Sequence, residues 1–577
     1  MANTVQLLPL NSSFVQNLPK HNIREVICNV EQKWQIRCVA NKQTNYSITK
    51  RDSGYYKPSS WSHEFMISMG DDPQKNVRKE SSIRKLEEAV KYMLDDEGTE
   101  PVDILQLIDE IQHLGLGYHF RESTKCALGR IIRSGEVMKK MDHSIHTCAL
   151  YFTVLRQHGY EISAERLQKY TFIFYILLQE IQDQDSTGKS NTLILLREWC
   201  KAQLQSQEQE VLGDPLVKIF STRSGDSRLG CRRWTWESSR SLESLHSRYG
   251  GNWLVPRVFS ILGFSVNNLV VVFIAFHYDM GLAKKLYFAR DRLMESFFWS
   301  VGMVFEPQFS ECRKGLTKVG KLITIIDDVY DVYGSLEGLE QFTDAVERWD
   351  INALQHLPGC MKICFLALYN TVNNMAYDVL KEQGHVILSQ LTKVWADLCK
   401  LFLKEAQWSY NKHIPSFDEY LNMGWLSSSG PLLLVHAYFL MDKNITNEAI
   451  ECFNDYPALL RYPSTIFRLC NDLSSSKAEI ERGETANAIS CYMHENGVSE
   501  EVARRYIRRL IDDNWKMINK ELVSNSLFSN SFIEIAINLA RISQCHYQHG
   551  NAHSDPNDIT RNRVLSVIIE PIQLAQL

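Results

Sequence analysis

Apolar residues recur at three- and four-residue steps through most of this 577-residue chain. The clearest stripe consists of Leu316, Val319, Ile323, Ile326, Tyr330 and Tyr333. This spacing places the apolar side chains on one face of an α-helix, whereas a half-buried strand would need strict alternation. Helix breakers are scarce. The 28 Gly and 15 Pro together make up about 7.5% of the 577 residues, compared with about 12% in average proteins. The sequence therefore predicts an all-α protein.

Charge and hydropathy argue against two classes of partner. The chain has 63 basic and 68 acidic residues and a net charge of −5, so it lacks an overall positive field for nucleic acid. The longest clear apolar run, Leu269 to Phe276, has eight residues, whereas a membrane-spanning helix needs about 20. We therefore expect a globular protein that binds neither nucleic acid nor membrane.

The composition changes along the chain. Residues 1–49 carry five Lys or Arg against two acids, which is typical of an organelle transit segment, with a plain disordered terminus as the alternative. Helical periodicity dominates residues 80–180 and 280–577. Between these blocks, residues 221–250 are rich in Ser and Arg, and residues 269–274 have strand-like propensity. This middle stretch is either a surface insertion or the product of a faulty gene model.

A first candidate site is the acidic run Asp327-Asp328-Val329-Tyr330-Asp331. In an α-helix Asp327 and Asp331 lie about 40° apart, so their carboxylates share one face and can bind one hard cation. An acidic run is usually a solvated helix face. Here the acids border an apolar stripe, where uncompensated charge is unfavourable. The pattern therefore favours a bound metal ion.

A second candidate site is a polar stripe that contains Arg468, Asn471, Ser475 and Glu479. On a helix these residues lie within about 80° of one another, and Leu469 lies on the opposite side. An amide, a hydroxyl and a carboxylate suit Mg²⁺ when water and phosphate complete its coordination. The alternative is an ordinary polar helix face.

A third candidate is the pair Arg290 and Arg292, which precedes the aromatic residues Phe297, Phe298 and Trp299. Paired guanidinium groups offer forked donors to phosphate oxygens. The aromatic residues taken alone would be ordinary core. The pair is therefore a candidate phosphate-binding element, 37 residues before Asp327, although by itself it is a weak signal.

These three groups together resemble the class I terpene synthases of plants. The acidic run matches the aspartate-rich motif of that family, the polar stripe matches its second metal motif, and the arginines match its RxR element. The resemblance covers about residues 50–160 and 279–577. It fails across most of 165–278, where the family's Arg-Trp-Trp stretch is missing. The family has two consecutive arginines that are separated from a tryptophan by eight residues. This chain has Lys50-Arg51 in their place, and nine residues separate Arg51 from Trp61.

The resemblance implies two helical domains after the transit segment. Residues 50–245 would form an amino-terminal domain, atypical after 165, and residues 246–577 a class I terpenoid synthase bundle with an apolar active-site cavity. Three Mg²⁺ ions, with Mn²⁺ as a substitute, would bind a prenyl diphosphate substrate. The implied metal ligands are Asp327, Asp328, Asp331, Asn471, Ser475 and Glu479. The implied substrate-binding residues are Arg290, Arg292, Arg468, Asp327, Asp331 and Asn471. The implied catalytic residues are Asp327, Asp331 and Trp299.

The function implied by the resemblance is that of a lyase in isoprenoid biosynthesis. It would ionise a prenyl diphosphate, because the chain lacks the DxDD motif of cyclases that start by protonation. The basic leader favours a plastid monoterpene synthase that uses geranyl diphosphate, and a cytoplasmic sesquiterpene synthase that uses farnesyl diphosphate is the alternative. A third possibility is an inactive helical relic, if residues 165–278 are mistranslated. We expect a monomer or a weak homodimer.

Overall fold

The computed structural model of the protein describes thirteen stretches of the chain. They are residues 59–62, 65, 87–113, 116–134, 145–160, 282–286, 288–441, 445–481, 486–523, 527–551, 553–554, 557–565 and 568. All of them belong to one compact unit, residues 51–577. The predicted transit segment 1–49, the Lys50-Arg51 pair and the unusual stretch 165–278 lie outside the described residues.

Across the described stretches every extended regular element is a helix and no strand occurs, which confirms the all-α prediction. The amino-terminal helices are α1 (87–95), α2 (Pro101–His113), α3 (Arg121–Ser134) and α4 (Ile145–Gln157). They enclose an apolar core of their own that includes Leu94, Ile108, Leu128 and Val154. Among the described helices, none is long and apolar enough to cross a membrane.

The carboxy-terminal helices surround a second and larger apolar core. The first group is α5 (Leu282–Lys285), α6 (Leu293–Met303), α7 (Ser310–Asp328), α8 (Leu336–Arg348), α9 (Gly359–Gln383), α10 (Leu388–Asn411) and α11 (Phe417–Ser427). The second group is α12 (Gly430–Met441), α13 (Asn447–Cys452), α14 (Ala458–Glu481), α15 (Ala488–Asn496), α16 (Glu500–Val523), α17 (Asn530–Tyr547) and α18 (Asp558–Val564). The predicted domain boundary at 245/246 lies outside the described residues and stays a prediction.

Local sequence signals fix where several helices begin and end. The side chains of Ser335 and Ser416 accept hydrogen bonds from backbone N–H groups in the first turns of α8 and α11. Asn487 begins α15 with a reciprocal capping box. These caps satisfy N–H groups that have no partner within the helix. Gly384 ends α9 with φ of 77°, a conformation that glycine adopts without steric penalty.

Helix α12 lies at the centre of the larger core. Its residues are apolar on every side, and Leu434, Val435 and Ala437 have no exposed surface. It packs against α7, α9, α10, α11, α14 and α17. A helix that is hydrophobic all round is stable only when neighbours cover it on all sides. This arrangement sets the spacing of the helices that carry the candidate site.

Arg121 and Tyr118 join the amino-terminal helices to the carboxy-terminal bundle, and the Tyr118 ring lies 6.0 Å from the Phe305 ring, measured between centres. Arg121 at the start of α3 lies 3.1 Å from a carboxylate oxygen of both Glu306 and Glu534, and it donates to Ser531 at 3.1 Å. Elsewhere, the Arg561 guanidinium lies over the Trp61 ring, 5.4 Å from its centre. These contacts hold residues that are far apart in sequence against the same bundle.

Candidate active site

A cavity of about 220 Å³ lies between helices α6, α7, α10, α12 and α14 and the segment that follows α17. Its apolar lining includes Leu316, Ile323, Phe402, Leu433 and Phe467. Its charged and amide lining includes Arg290, Asp327, Asp331, Glu405, Arg468, Asn471 and Glu479. The cavity is therefore lined by apolar side chains and by a group of charged and amide side chains.

The aspartate wall of this cavity is formed by α7 and the turn after it. Asp327 and Asp331 both line the cavity. Helix α7 ends at Asp328, and Val329–Tyr333 form a single turn of π-helix. A π turn holds more residues than an α turn and often occurs at functional sites. The structure thus brings the two acids to one cavity, on a wider turn than the α-helix that the sequence predicted.

Asp328 takes a different position from its neighbours. It has no exposed surface and is absent from the cavity lining. One carboxylate oxygen lies 2.7 Å from Arg290 Nε, and the other accepts a hydrogen bond from the Arg290 backbone N–H at 2.7 Å. Burial raises the pKa of Asp328 to about 6, although the Arg290 cation opposes this shift. The structure therefore directs this predicted metal ligand towards an arginine and away from the cavity.

The two predicted phosphate-binding arginines also differ. Arg290 lines the cavity and pairs with Asp327 as well as Asp328. Arg292 is 1% exposed and does not line the cavity. Its Nε donates to the backbone carbonyl of His553 at 2.8 Å. Arg290 is thus placed to meet a ligand, whereas Arg292 holds the segment after α17.

Lys321 adds a positive charge behind Arg290 that the sequence analysis missed. Its Nζ donates to the Arg290 backbone carbonyl at 2.6 Å and lies 3.4 Å from Asp291 Oδ1. Burial lowers the pKa of Lys321, while Asp291 and Asp328 oppose that effect. One signal was available, because Lys321 lies on α7 in an otherwise apolar stretch before the acidic run.

The second wall of the cavity is formed by α14. Arg468, Asn471 and Glu479 line the cavity, as their shared helix face predicts. Ser475 is buried and donates to both the Asn471 carbonyl and a Glu479 carboxylate oxygen. Asp472 points elsewhere: it accepts hydrogen bonds from Tyr420 at 2.7 Å and from the Ala488 N–H at 2.8 Å.

Arg468 is held at the edge of the cavity by groups from three helices. Its Nε donates to the Gly424 carbonyl at 3.0 Å, and Nη2 donates to Ser427 at 2.7 Å. Asp472 on the same helix and Glu405 on α10 lie 3.6 Å and 3.4 Å from its guanidinium. Glu405 carries no motif that identifies it from sequence. Burial raises its pKa, against the opposing effect of the Arg468 cation.

Trp299 forms an aromatic side of the cavity. Its ring packs 4.7 Å from Phe467 and 5.9 Å from Tyr547, measured between ring centres, and all three residues line the cavity. Aromatic faces attract cations that lie within about 6 Å of the ring centre. The structure brings Trp299 to the cavity, and its catalytic role stays a prediction.

The ligand set of the cavity fits Mg²⁺. In the described part of the chain, no three Asp, Glu, His or Cys side chains converge on one point. The oxygen ligands are instead divided between two helices, with Asp327 and Asp331 on one and Asn471 and Glu479 on the other. Mg²⁺ binds hard oxygen ligands and usually takes one or two carboxylates together with water and substrate phosphates. An incomplete protein shell on each wall suits metal ions shared with a phosphate-bearing ligand.

Two family models match this chain, one on each side of its middle stretch. The model "Terpene synthase, N-terminal domain" matches residues 60–173, and "Terpene synthase family, metal binding domain" matches residues 278–517. The chain is also 42% identical to the chloroplastic isoprene synthase of Populus tremuloides, with 99% of each chain covered. The chain belongs to the terpene synthase family. This confirms the resemblance and the prediction of an enzyme that acts on a prenyl diphosphate.

Further relatives of this terpene synthase agree in fold and in extent. It is 43% identical to a chloroplastic tricyclene synthase of Medicago truncatula, and the alignment covers 92% of this chain and 93% of that protein. A solved structure of isoprene synthase from grey poplar, in complex with three Mg²⁺ ions and dimethylallyl-S-thiolodiphosphate, superimposes with a TM-score of 0.72 at 43% identity. That comparison covers 89% of this chain and 99% of the poplar chain. The two family models leave residues 174–277 unmatched between them, close to the stretch in which the sequence resemblance fails.

Proposed function

We propose that this terpene synthase ionises geranyl diphosphate and converts the ten-carbon cation into a monoterpene. The shape of the cavity carries the proposal. Charged groups collect around Asp327 and Asn471, and the lining continues along α7 to Leu316. Leu316 precedes Asp327 by three helical turns, about 16 Å along the axis. The apolar lining along this length of α7 leaves room for a ten-carbon chain beyond the charged groups.

The cofactor is Mg²⁺, since the chain matches the family's metal binding domain and the poplar structure holds three Mg²⁺ ions. Bound Mg²⁺ would supply positive charge that stabilises the departing diphosphate. The ligands proposed on the first wall are Asp327 and Asp331, and on the second wall Asn471, Ser475 and Glu479. Asp328 would act from behind the first wall by holding Arg290.

The remaining steps belong to the protein's own side chains. Arg290 and Arg468 would donate to phosphate oxygens, because both guanidinium groups line the cavity and are fixed by carboxylates and carbonyls. Trp299 would stabilise the allylic cation by cation–π contact, worth about 0.5–2 kcal/mol. The apolar residues exclude water, and exclusion of water favours hydrocarbon over alcohol.

The plastid is the location that agrees with both lines of evidence. The isoprene and tricyclene synthases that the chain resembles are named chloroplastic, and the basic segment 1–49 is typical of a transit segment. Geranyl diphosphate in the plastid is therefore favoured over farnesyl diphosphate in the cytoplasm. The oligomeric state, monomer or weak homodimer, stays a prediction.

A second candidate function is the release of isoprene from dimethylallyl diphosphate. It is favoured by the 42% identity to an isoprene synthase and by the dimethylallyl analogue bound in the poplar structure. The same cavity would hold the shorter chain with its interior partly unfilled. The two functions differ in substrate length and not in the metal or the arginines.

Product analysis distinguishes these functions. The purified protein is incubated with Mg²⁺ and with dimethylallyl, geranyl or farnesyl diphosphate, and the volatiles are identified by gas chromatography and mass spectrometry. We expect monoterpene from geranyl diphosphate at the highest kcat/KM. Exclusive formation of isoprene would establish the second candidate, and exclusive turnover of farnesyl diphosphate would overturn the proposal. Failure with all three, by a protein that melts cooperatively, would support the inactive relic.

A further inference from the structure

Two histidines, His553 and the buried His546, connect the active-site cavity with a second, smaller cavity. His553 lines the active-site cavity, and its Nδ1 lies 2.7 Å from Nε2 of His546. His546, near the end of α17, also lines the smaller cavity, which lies between α6, α17, α18 and Trp61. Glu295 lines that smaller cavity as well. His546 therefore links the active-site cavity, through His553, to a smaller cavity that Glu295 also lines.

The position of His553 is fixed by its backbone as well as its ring. Its carbonyl accepts the hydrogen bond from Arg292, and its N–H donates to Asn551 Oδ1 at 3.0 Å. The rings of His546 and His553 lie 5.1 Å and 6.1 Å from the Trp299 ring, measured between centres. His553 is thus held beside the aromatic group that is placed to contact the cation.

Both imidazoles are neutral at physiological pH. Burial lowers the pKa of His546 to about 3, and Arg563 adds to this effect. Burial also lowers the pKa of His553, and His546, Arg290, Arg292 and Lys321 lower it further. A neutral imidazole has one ring nitrogen that can accept a proton. A carbocation is so strong an acid that a weakly basic imidazole can still deprotonate it.

We propose that His553 accepts the proton whose loss ends the reaction and that His546 relays a proton towards Glu295. This inference rests on the proposed function, because it needs a carbocation in the cavity. It assigns a proton acceptor that belongs to the protein, in competition with the released diphosphate. It also explains why a histidine that the sequence analysis did not single out lines the cavity.

The transfer balances in three linked movements. A C–H bond next to the cationic carbon breaks, its electron pair forms the C=C bond, and the proton passes to His553 Nε2. The proton on His553 Nδ1 passes to His546 Nε2, and the proton on His546 Nδ1 leaves into the smaller cavity. Glu295 Oε2 has no hydrogen-bond partner among the described residues and is available as the final acceptor.

Product ratios test the relay in the full-length enzyme. In His553→Asn we expect the ratio of hydrocarbons to water-captured alcohols to fall about tenfold, which is less than the usual 10²–10⁴ contribution of a positioned base because the released diphosphate can also accept the proton. His546→Asn should shift the ratio in the same direction by a smaller factor. The matched control is His549→Asn, since His549 is exposed in the same segment and lines neither cavity. Unchanged ratios in both the His553 and the His546 variant would overturn the proposal.

A second measurement needs neither substrate nor metal. Nitrogen-15 NMR of the imidazoles in the full chain reports which ring nitrogen carries hydrogen. We expect His553 to carry its proton on Nδ1 and His546 to carry its proton on Nδ1. A proton on His553 Nε2 would overturn the relay even in an active enzyme. The expected tautomers in an enzyme that turns over no geranyl diphosphate would instead point to failure of the proposed function.

Discussion

On each polar wall of the cavity a buried carboxylate pairs with an arginine, but the two pairs are built from different parts of the chain. On the aspartate wall, buried Asp328 holds Arg290, which comes from a segment 38 residues earlier. On the α14 wall, buried Asp472 lies one helical turn from Arg468 on the same helix. In both cases a carboxylate hidden behind the wall fixes an arginine at its surface. Adjacent acids in one motif can therefore have separate tasks, one towards the ligand and one towards the scaffold.

The walls differ in whether a proposed metal ligand already forms an ion pair with the arginine of its wall. Arg290 pairs with Asp327, an acid proposed to bind metal, whereas Arg468 contacts Glu405 and Asp472, which are not proposed as ligands. Binding of metal to the aspartate wall would thus compete with an existing ion pair. The α14 wall keeps its arginine in place independently of the metal.

Removal of Asp327 should have the largest effect on this comparison. Asp327→Ala should lower kcat/KM by a factor of about 10² or more, because a metal ligand acts chiefly in the transition state. Steady-state kinetics with geranyl diphosphate and Mg²⁺ measure the loss. Asp344→Ala is the matched control, since Asp344 is exposed on α8, where it pairs with Arg348 on the surface. Equal rates for Asp327→Ala and the control would refute the role of the aspartate wall.

The neighbours Asn471 and Asp472 test the separation of tasks on the α14 wall. Asn471→Ala should mainly lower kcat/KM, because Asn471 lines the cavity. Asp472→Asn should lower the free energy of unfolding by about 3 kcal/mol, because it removes the fully buried negative partner of Arg468. Thermal melts and kinetics of both variants measure the two effects. If the two variants lose the same activity and have the same stability, Asn471 and Asp472 do not have separate roles.

The buried carboxyl group of Glu295 should make the stability of the protein depend on pH. It lies near Arg292, as Glu405 lies near Arg468, and burial raises the pKa of both carboxyl groups, that of Glu295 from 4.5 to about 7. Between those values the unfolded state releases the proton first, so this group lowers stability as the pH rises. Glu295→Gln should therefore gain stability relative to the native protein up to about 3 kcal/mol above pH 7, at 1.36 kcal/mol per pKa unit.

Urea unfolding at pH 5 and pH 8 measures this gain. Glu311→Gln is the control, because the Glu311 side chain is 80% exposed. If the difference between Glu295→Gln and the native protein does not grow between the two pH values, Glu295 is already ionised in the folded protein. The buried carboxylates behind the two walls would then be alike in charge.

Replacement of Glu405 should have the smallest effect. Glu405→Gln keeps an acceptor for Ser427 but removes one negative charge from Arg468, which retains Asp472 and the Gly424 carbonyl. We expect KM for geranyl diphosphate to rise about fivefold, equivalent to about 1 kcal/mol. Glu419→Gln on the exposed surface is the control. A loss as large as that of Asp327→Ala would mean that Glu405 is itself a ligand.

Helical periodicity was sufficient to predict several features of the site. It placed Asn471 and Glu479 on one face of a helix, and the structure brings both to the cavity. It also separated Asp472 from them. The prediction was less complete for Asp331, which reaches the cavity through a π turn. Tyr330 in this turn packs against α8 and α10, where its hydroxyl lies 2.7 Å from Thr343, and helical spacing contains no information on these contacts.

The contacts of Lys321, Glu405 and His553 could not be predicted in the same way. Each depends on a partner that is more than 20 residues distant in sequence, such as the Arg290 carbonyl or Arg468. Periodicity describes which side of a helix a residue occupies, but it contains no information on which helix lies opposite. The small cavity behind His546 likewise exists only because α6, α17 and α18 pack together.

By itself, the amino-acid sequence determined the helical class, the two metal motifs and the family resemblance, because these depend on residue types at short, regular spacings. Tertiary structure alone decided that Asp328 and Arg292 face the scaffold while Asp327 and Arg290 face the cavity. The physical reason is that a buried charge needs an opposite charge or a hydrogen-bond partner. Only the packing of distant helices determines which partner is within reach.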